Sequence, residues 1–409
     1  LMDSLGMAIR DTGSAIDWTV HPLLRMRRDR DGQLLEVLGT ADNDDSAESL
    51  IHIEFEPLEG DTGAYEALHE ALLGVLHDVR CVVTDYPAMR QRMLEQAEAL
   101  AQAPANQNQA DCDEAAAFLR WLTNDHFTFL GYSRSRASKD EEGEFTLQAL
   151  DDHGLGLTRP GERFANTDEC IAPLDELRRH AQSNHLLVVT KANARSTVHH
   201  PQYMDIISVK QFADNGTLLY THRFVGLFSL DVYISKPADI PLIRRKADYV
   251  MARSRLPTRS HSGKNLQDIL HQLPRDELFQ SSAEELYDTC MGIRALRDRH
   301  QLRLFMRRDR YGRFYSCMVY LPRDRYAREM RDRMAEELMR ICGGLSIDRN
   351  VDFLRGDLAR MHFIVRTPPG TRIGLRPDEV EERLVQATRS WRDRLRDQLL
   401  QQSGQGQRL

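Results

Sequence analysis

Residues Met306–Gly312 read MRRDRYG, and Met26–Gly32 read MRRDRDG. Six of the seven positions match, 280 residues apart. Such a repeat is either a recognition motif used twice or one structural corner built twice. In both copies a strand-like run leads in, the glycine closes a turn, and a second run leads out. A proline then precedes an amphipathic helix. Asp31-Gly32 is the pairing that favours a type I′ hairpin turn. Leu24 and Met26, like Leu304 and Met306, share one face of their strand, and the arginines take the other face or the turn. We read the string as a hairpin corner whose charges are left to solvent. A phosphate or carboxylate site on Arg28 or Arg308 is the alternative, because a guanidinium fork suits an oxyanion.

Working outward from the second copy, Pro322 ends the hairpin. The helix YAREMRDRMAEELMRIC sets Ala327, Met330, Met334, Leu338 and Ile341 on one face. Gly343-Gly344 stops it. Two further strands follow, and Met361, Phe363 and Val365 alternate in the second. A helix from Asp378 carries Val380, Leu384, Trp391, Leu395 and Leu399. The order is ββαββα. Around the first copy, Leu1–Arg10 is helix-like and SAIDWTVHPLLRMRR is one extended run. Ile51, Ile53 and Phe55 alternate with polar positions, and Tyr65, Leu68, Leu72, Val75 and Val79 form a helical stripe. That gives αββα, with a strand missing on the N-terminal side.

Between the copies lies a β-rich stretch from His126 to Phe228. Asn215-Gly216 marks a hairpin within it, and PLDELRRHAQS is a short helix. Ile240, Ile243, Ala247 and Val250 then return to helical spacing. Ser281/Glu284 and Ser282/Glu285 both fit a capping box. The fold class is α+β and multi-domain, with small antiparallel sheets, helices on one face and helical linkers. The expected division is a first module at 1–83, a linker at 84–124, a β-rich module at 125–255, a linker at 256–300 and a last module at 301–402.

The 409 residues are 41% hydrophobic and 29% charged, enough apolar side chain for packed cores. A net charge of −7 argues against a nucleic-acid or anionic-membrane partner for the whole chain. No apolar run reaches the roughly 20 residues of a membrane span, and no signal peptide is visible. The six cysteines are scattered without a C-x-x-C pair, which reads as reduced and cytoplasmic. The sequence opens inside a helix, as a segment of a longer protein would.

Catalytic motifs are weak. GLGLTRPG (154–161) misses the dinucleotide fingerprint, and SGKN (262–265) misses a P-loop. His180, His185, His199 and His200 lie near one another in sequence without a metal-ligand spacing. The polar stretch KANARSTVHHPQY holds Lys191, Arg195, Ser196 and His199. It is the best candidate for an anion or substrate contact, and a turn or interface strand is the plainer reading. No catalytic residue, cofactor or metal is expected in this segment.

Seven strings together carry a family resemblance: DHFTFLGY (125–132), KANARSTVHHPQYMDIISVKQF (191–212), RFVGLFS (223–229), PLIRRK (241–246), PRDELFQ (274–280), FMRRDRYGRFYSCMVYLPRDRY (305–326) and LARMHFIVRT (358–367). HPLLRMRRD (21–29) matches too. The chain resembles the N-terminal part of the large bacterial NAD-specific glutamate dehydrogenases. The resemblance implies a parent that converts L-glutamate to 2-oxoglutarate and ammonia while reducing NAD, in a C-terminal catalytic domain absent from this sequence. It implies that the two MRRDRxG modules are ACT-like and the middle one PAS-like. Their role would be regulation and homo-oligomer assembly, with an amino acid as effector. An amino-acid sensor able to act alone is the second reading.

Overall fold

A computed structural model describes residues 1–388, apart from 41–46, 61, 103–106, 140–144, 151–153, 163, 165–182, 184, 297–301 and 355–356. The expected PLDELRRHAQS helix, His180 and the far end of the last helix with Trp391, Leu395 and Leu399 lie outside the described residues.

The first module opens with α1 (Met2–Asp11). β1 (Ile16–Val20), β2 (Leu23–Arg28), β3 (Leu34–Thr40), β4 (Ala47–Ser49) and β5 (His52–Phe55) follow. The order is therefore αβββββα rather than αββα. The first expected run is bent into β1 and β2, and the second resolves into β3, β4 and β5. The bends face each other, where Leu50 N donates to the Pro22 carbonyl at 3.1 Å. β1 pairs with β5, while β2 lies between β3 and β4. Pro22 has no N–H to give a ladder, so the pairing changes sheets there.

α2 (Thr62–Ala101) then runs 40 residues, straight through the expected boundary at residue 83, with Pro87 inside it. Its buried stripe includes Val75, Val82, Met89 and Met93, so packing along the middle module sustains it. α3 (Gln109–Trp121) starts on Asn108, whose side chain accepts from the Ala110 amide at 3.0 Å.

The middle sheet comprises β6 (Phe127–Lys139), β7 (Phe145–Ala149), β8 (Leu155–Gly156), β9 (Leu187–Arg195), β10 (Tyr203–Phe212) and β11 (Leu218–Phe228). Its order is β7-β6-β11-β10-β9, with the short β8 on β6. β9 is thus an edge strand. Helices α4 (Leu230–Ile234), α5 (Ile243–Ser254), α6 (His261–Gln272), α7 (Arg275–Gln280) and α8 (Ala283–Leu296) follow. Of the two expected capping boxes, Ser282/Glu285 forms: Ser282 N donates to Glu285 Oε2 at 2.7 Å, and Glu285 N donates to Ser282 Oγ at 3.2 Å.

The last module is ββαββα: β12 (Arg303–Arg308), β13 (Phe314–Pro322), α9 (Arg328–Cys342), β14 (Ser346–Phe353), β15 (Leu358–Arg366) and α10 (Pro377–Thr388). The sheet order is β12-β13-β15-β14. Cys317, Val319 and Leu321 on β13 share a core with Met334 and Leu338 of α9 and Leu384 of α10. The alternate residues Met318 and Tyr320 belong to a second core with Cys290 and Ile293 of α8. This sheet is therefore covered on both faces, by its own helices and by the helices that precede it. That is why β13 is buried along its whole length.

The hairpins turn alike. Gly32, Gly216 and Gly312 all take positive φ (79°, 83° and 65°), whereas Asp31, Asn215 and Tyr311 do not. A type I′ turn needs positive φ at both central residues. Instead, each glycine N–H closes back on a carbonyl three residues earlier, from Gly32 to Asp29 at 3.2 Å and from Gly312 to Asp309 at 2.9 Å. Only glycine reaches that left-handed position cheaply, which is what the repeat encodes.

Candidate functional site

The free side of β9 meets the rest of the chain. Lys191 Nζ stands 2.8 Å from Asp205 Oδ1 on β10 and 3.3 Å from Asp276 Oδ1 on α7. Burial works against the ammonium charge, but the two carboxylates override it and hold its pKa above the usual lysine range. Asp205 is itself pushed up to about 6, by burial first and with Lys191 pulling the other way. At the end of the strand, Arg195 lies over the Tyr203 ring at 4.9 Å and pairs with Asp348 of β14 at 3.3 Å.

The turn after β9 reaches α2 and α1. Ser196 Oγ donates to the Val198 carbonyl at 2.5 Å and accepts from the Val198 amide at 3.0 Å, so it closes the turn on itself. Thr197 Oγ1 donates to Asp78 Oδ2 of α2 at 2.6 Å. His199 takes a left-handed φ of 74°, and its amide donates to Ser4 Oγ of α1 at 3.0 Å. Over nine residues, from Lys191 to His199, this stretch touches α7, β14, α2 and α1. It is a tie between the first and last modules.

The two arginines of the repeat are placed differently. Arg28 gives a bidentate pair to Glu48 at 2.6 and 2.5 Å and donates to the Gly32 carbonyl at 2.8 Å, all within its own sheet. Arg308 Nε donates to the Thr371 carbonyl, in the loop before α10, at 3.2 Å. The structure does not bring Arg28 to the β9 turn.

The solvated-corner expectation fails for the second copy. Asp309 and Arg313 are sealed from solvent, and Arg313 Nε donates to Asp309 Oδ2 at 2.8 Å. Thr190 of β9 completes the cluster, accepting from Arg313 Nη2 at 2.7 Å and donating to Asp309 Oδ1 at 3.1 Å. Arg307, one residue upstream of Arg308, gives a bidentate pair to the buried Glu277 of α7 at 2.9 and 2.7 Å. The physical reason is the neighbour. The last module packs its corner against β9 and α7, whereas the equivalent Arg27 of the first copy pairs with Glu36 in the open. The signal in the sequence was the change from Gln33 to Arg313, a buried charge that requires a partner.

The histidines singled out from the sequence form no metal-ligand group among the described residues. The His199 ring lies tilted against that of His200, with centroids 3.9 Å apart. Such a group does arise elsewhere, from His77, Cys81 and Glu162. Among the described residues no helix is long and apolar enough to cross a membrane.

Three family models match the chain, all domains of glutamate dehydrogenase: the ACT1 domain over residues 1–72, helical motif 1 over 240–299 and the ACT2 domain over 303–392. The chain carries the ACT and helical-motif domains of the glutamate dehydrogenase family. It is 35% identical over 396 residues to the NAD-specific glutamate dehydrogenase of Pseudomonas aeruginosa, covering 96% of this chain and 24% of that protein. The Halomonas elongata protein of the same name is 34% identical, with 97% and 25% covered. That of Mycobacterium tuberculosis is 30% identical, with 97% and 24% covered. The chain thus spans about a quarter of the length of these relatives and carries the ACT-domain segment of the dehydrogenase family. In this frame the β9 stretch is a strap between the ACT1 and ACT2 domains.

Proposed function

We propose that this segment is the regulatory and oligomerisation part of a dehydrogenase that converts L-glutamate to 2-oxoglutarate and ammonia and reduces NAD. In this reading the segment performs no chemistry. It reports to a linked catalytic domain, and the parent acts in the cytoplasm as a homo-oligomer. The middle sheet serves as a PAS-like core between two ACT domains. The observation that carries the reading is the β9 strap, through which a ligand on one ACT domain would bias the other. A rigid element with two discrete seatings is what coupling between sites needs.

An amino acid is the effector this reading favours. Arg313 Nη1 and Arg366 Nε are buried without an acceptor among the described residues, and Arg366 lies against Tyr203 and Asn193 beside the strap. A carboxylate would satisfy such donors. The buried thiols Cys81, Cys112, Cys290, Cys317 and Cys342 are free, which suits a reducing compartment. Strand β3 exposes Leu34, Leu35, Val37 and Leu38 on a sheet edge, a surface suited to a second copy.

The experiment measures glutamate-dependent NAD reduction by the full-length parent with a panel of amino acids. Wild type should respond to at least one of them. The response should weaken in Arg195→Ala and Arg366→Ala while turnover without effector persists. Reduction of NAD by the isolated segment, or a parent indifferent to every amino acid and to both variants, overturns the reading.

A further inference from the structure

We propose that His77, Cys81 and Glu162 form a zinc-class divalent metal site that clips the loop after β8 to helix α2. His77 and Cys81 stand four residues apart on α2, so both side chains leave the same face of the helix. Glu162 comes from the loop after β8, 81 residues beyond Cys81. The Cys81 sulfur lies 3.5 Å from His77 Nε2 and 3.7 Å from Glu162 Oε1. His77 Nε2 lies 2.9 Å from both carboxylate oxygens.

Those separations are close to a metal's own. Around a tetrahedral zinc the ligand atoms stand roughly 3.3–3.6 Å apart, given bonds of about 2.3 Å to sulfur and about 2.0–2.1 Å to nitrogen and oxygen. The two sulfur edges need almost no change, and the imidazole–carboxylate edge opens by roughly 0.4 Å. Thiolate, imidazole and carboxylate are the donor types that zinc takes together, and the thiolate disfavours magnesium and calcium. The thiolate and carboxylate charges balance a divalent ion. Cys81 would bind after losing its proton to solvent. The His77 side chain is 59% exposed, which leaves an entry path and room for a water as fourth ligand.

The loop is held ready. Asp85, one turn beyond Cys81, takes a bidentate pair from Arg159 at 2.6 Å on each bond and accepts from the Gly156 amide at 2.7 Å. Glu162 N then donates to the Arg159 carbonyl at 3.0 Å, and Phe164 is buried beside Val82 of α2. Glu162 is therefore delivered to the helix by a loop fixed on both sides of it. The site also adjoins the strap, because Asp78, next to His77, holds Thr197.

The test titrates the reduced, metal-free 409-residue chain with zinc against a chromophoric chelator, and separately with cobalt. Wild type should take one tight zinc per chain and, with cobalt, show a thiolate charge-transfer band. His77→Ala, Cys81→Ser and Glu162→Gln should each lower the affinity about tenfold or more, and Cys81→Ser should remove the band. His77 is exposed, so its variant tests binding without endangering the fold. Absence of tight binding by wild type overturns the proposal. So does zinc held equally well by His77→Ala and Glu162→Gln, which would place the metal on other cysteines.

Discussion

The Arg313 guanidinium and the Asp309 carboxylate, four residues apart on one hairpin, form a 2.8 Å ion pair with both side chains sealed from solvent. Thr190, more than a hundred residues earlier in the sequence, bonds to both of them. The pair is a joint between the ACT2 domain and the β9 strap, and removing one member strands a charge in the interior.

Arg313→Ala or Asp309→Ala should therefore cost about 3–5 kcal/mol, as breaking a buried pair does. Urea unfolding of the segment measures it. A loss under about 1 kcal/mol would show that the corner opens to water in solution.

The two copies of the repeat give a matched comparison. Arg307→Ala should be as damaging as Arg313→Ala, because it leaves Glu277 buried and unpaired. Arg27→Ala, at the same place in the first copy, should cost less than about 1 kcal/mol, since its pair with Glu36 is exposed. Equal effects would refute the asymmetry between the two corners.

Acid should release the same joint. Burial alone would raise the Glu277 pKa, but the Arg307 guanidinium overrides it and holds the carboxyl down at about 2. The folded pKa is thus below the unfolded value of about 4.3, so the contribution is complete above the unfolded value. It is lost as pH falls from about 4.5 towards 2, and on the order of 3 kcal/mol goes with it. Stability measured against pH should fall over this window in wild type and more shallowly in Glu277→Gln.

Gly226→Ala should destabilise the middle sheet, by about 3 kcal/mol. An added Cβ would stand 2.1 Å from the Thr128 carbonyl oxygen and 2.6 Å from the Phe127 ring, at a bulge between β11 and β6. Gly74→Ala, where nothing lies within 4 Å, should instead stabilise α2 by about 0.5–1 kcal/mol. Thermal melts of the two variants should move in opposite directions.

Much of this was legible in the residues. The stripe of α9, the alternation of β15 and the capping box of Ser282 and Glu285 rest on periods and spacings within a few residues, which local geometry enforces. The αββα order differs from the structure because it runs one strand through Pro22, and the second bend at Leu50 that answers it is a matter of pairing. Lys191, Arg195, Ser196 and His199 were singled out as one polar stretch. Their separate duties depend on Asp276, Asp348, the Val198 backbone and Ser4, three of which lie far away along the chain.

By itself the sequence determined the corner: two apolar residues on one strand face, charges at the tip, and a glycine where the backbone must turn left-handed. It could not determine which corner is buried. Desolvation of a charge is decided by what packs over it, and for Asp309 and Arg313 that is Thr190 of β9, while Arg27 of the first copy pairs in the open with Glu36 of its own sheet. The same holds for His77 and Cys81. Their helical spacing is written in the chain, but the carboxylate that completes the triad arrives only when the β8 loop folds against α2.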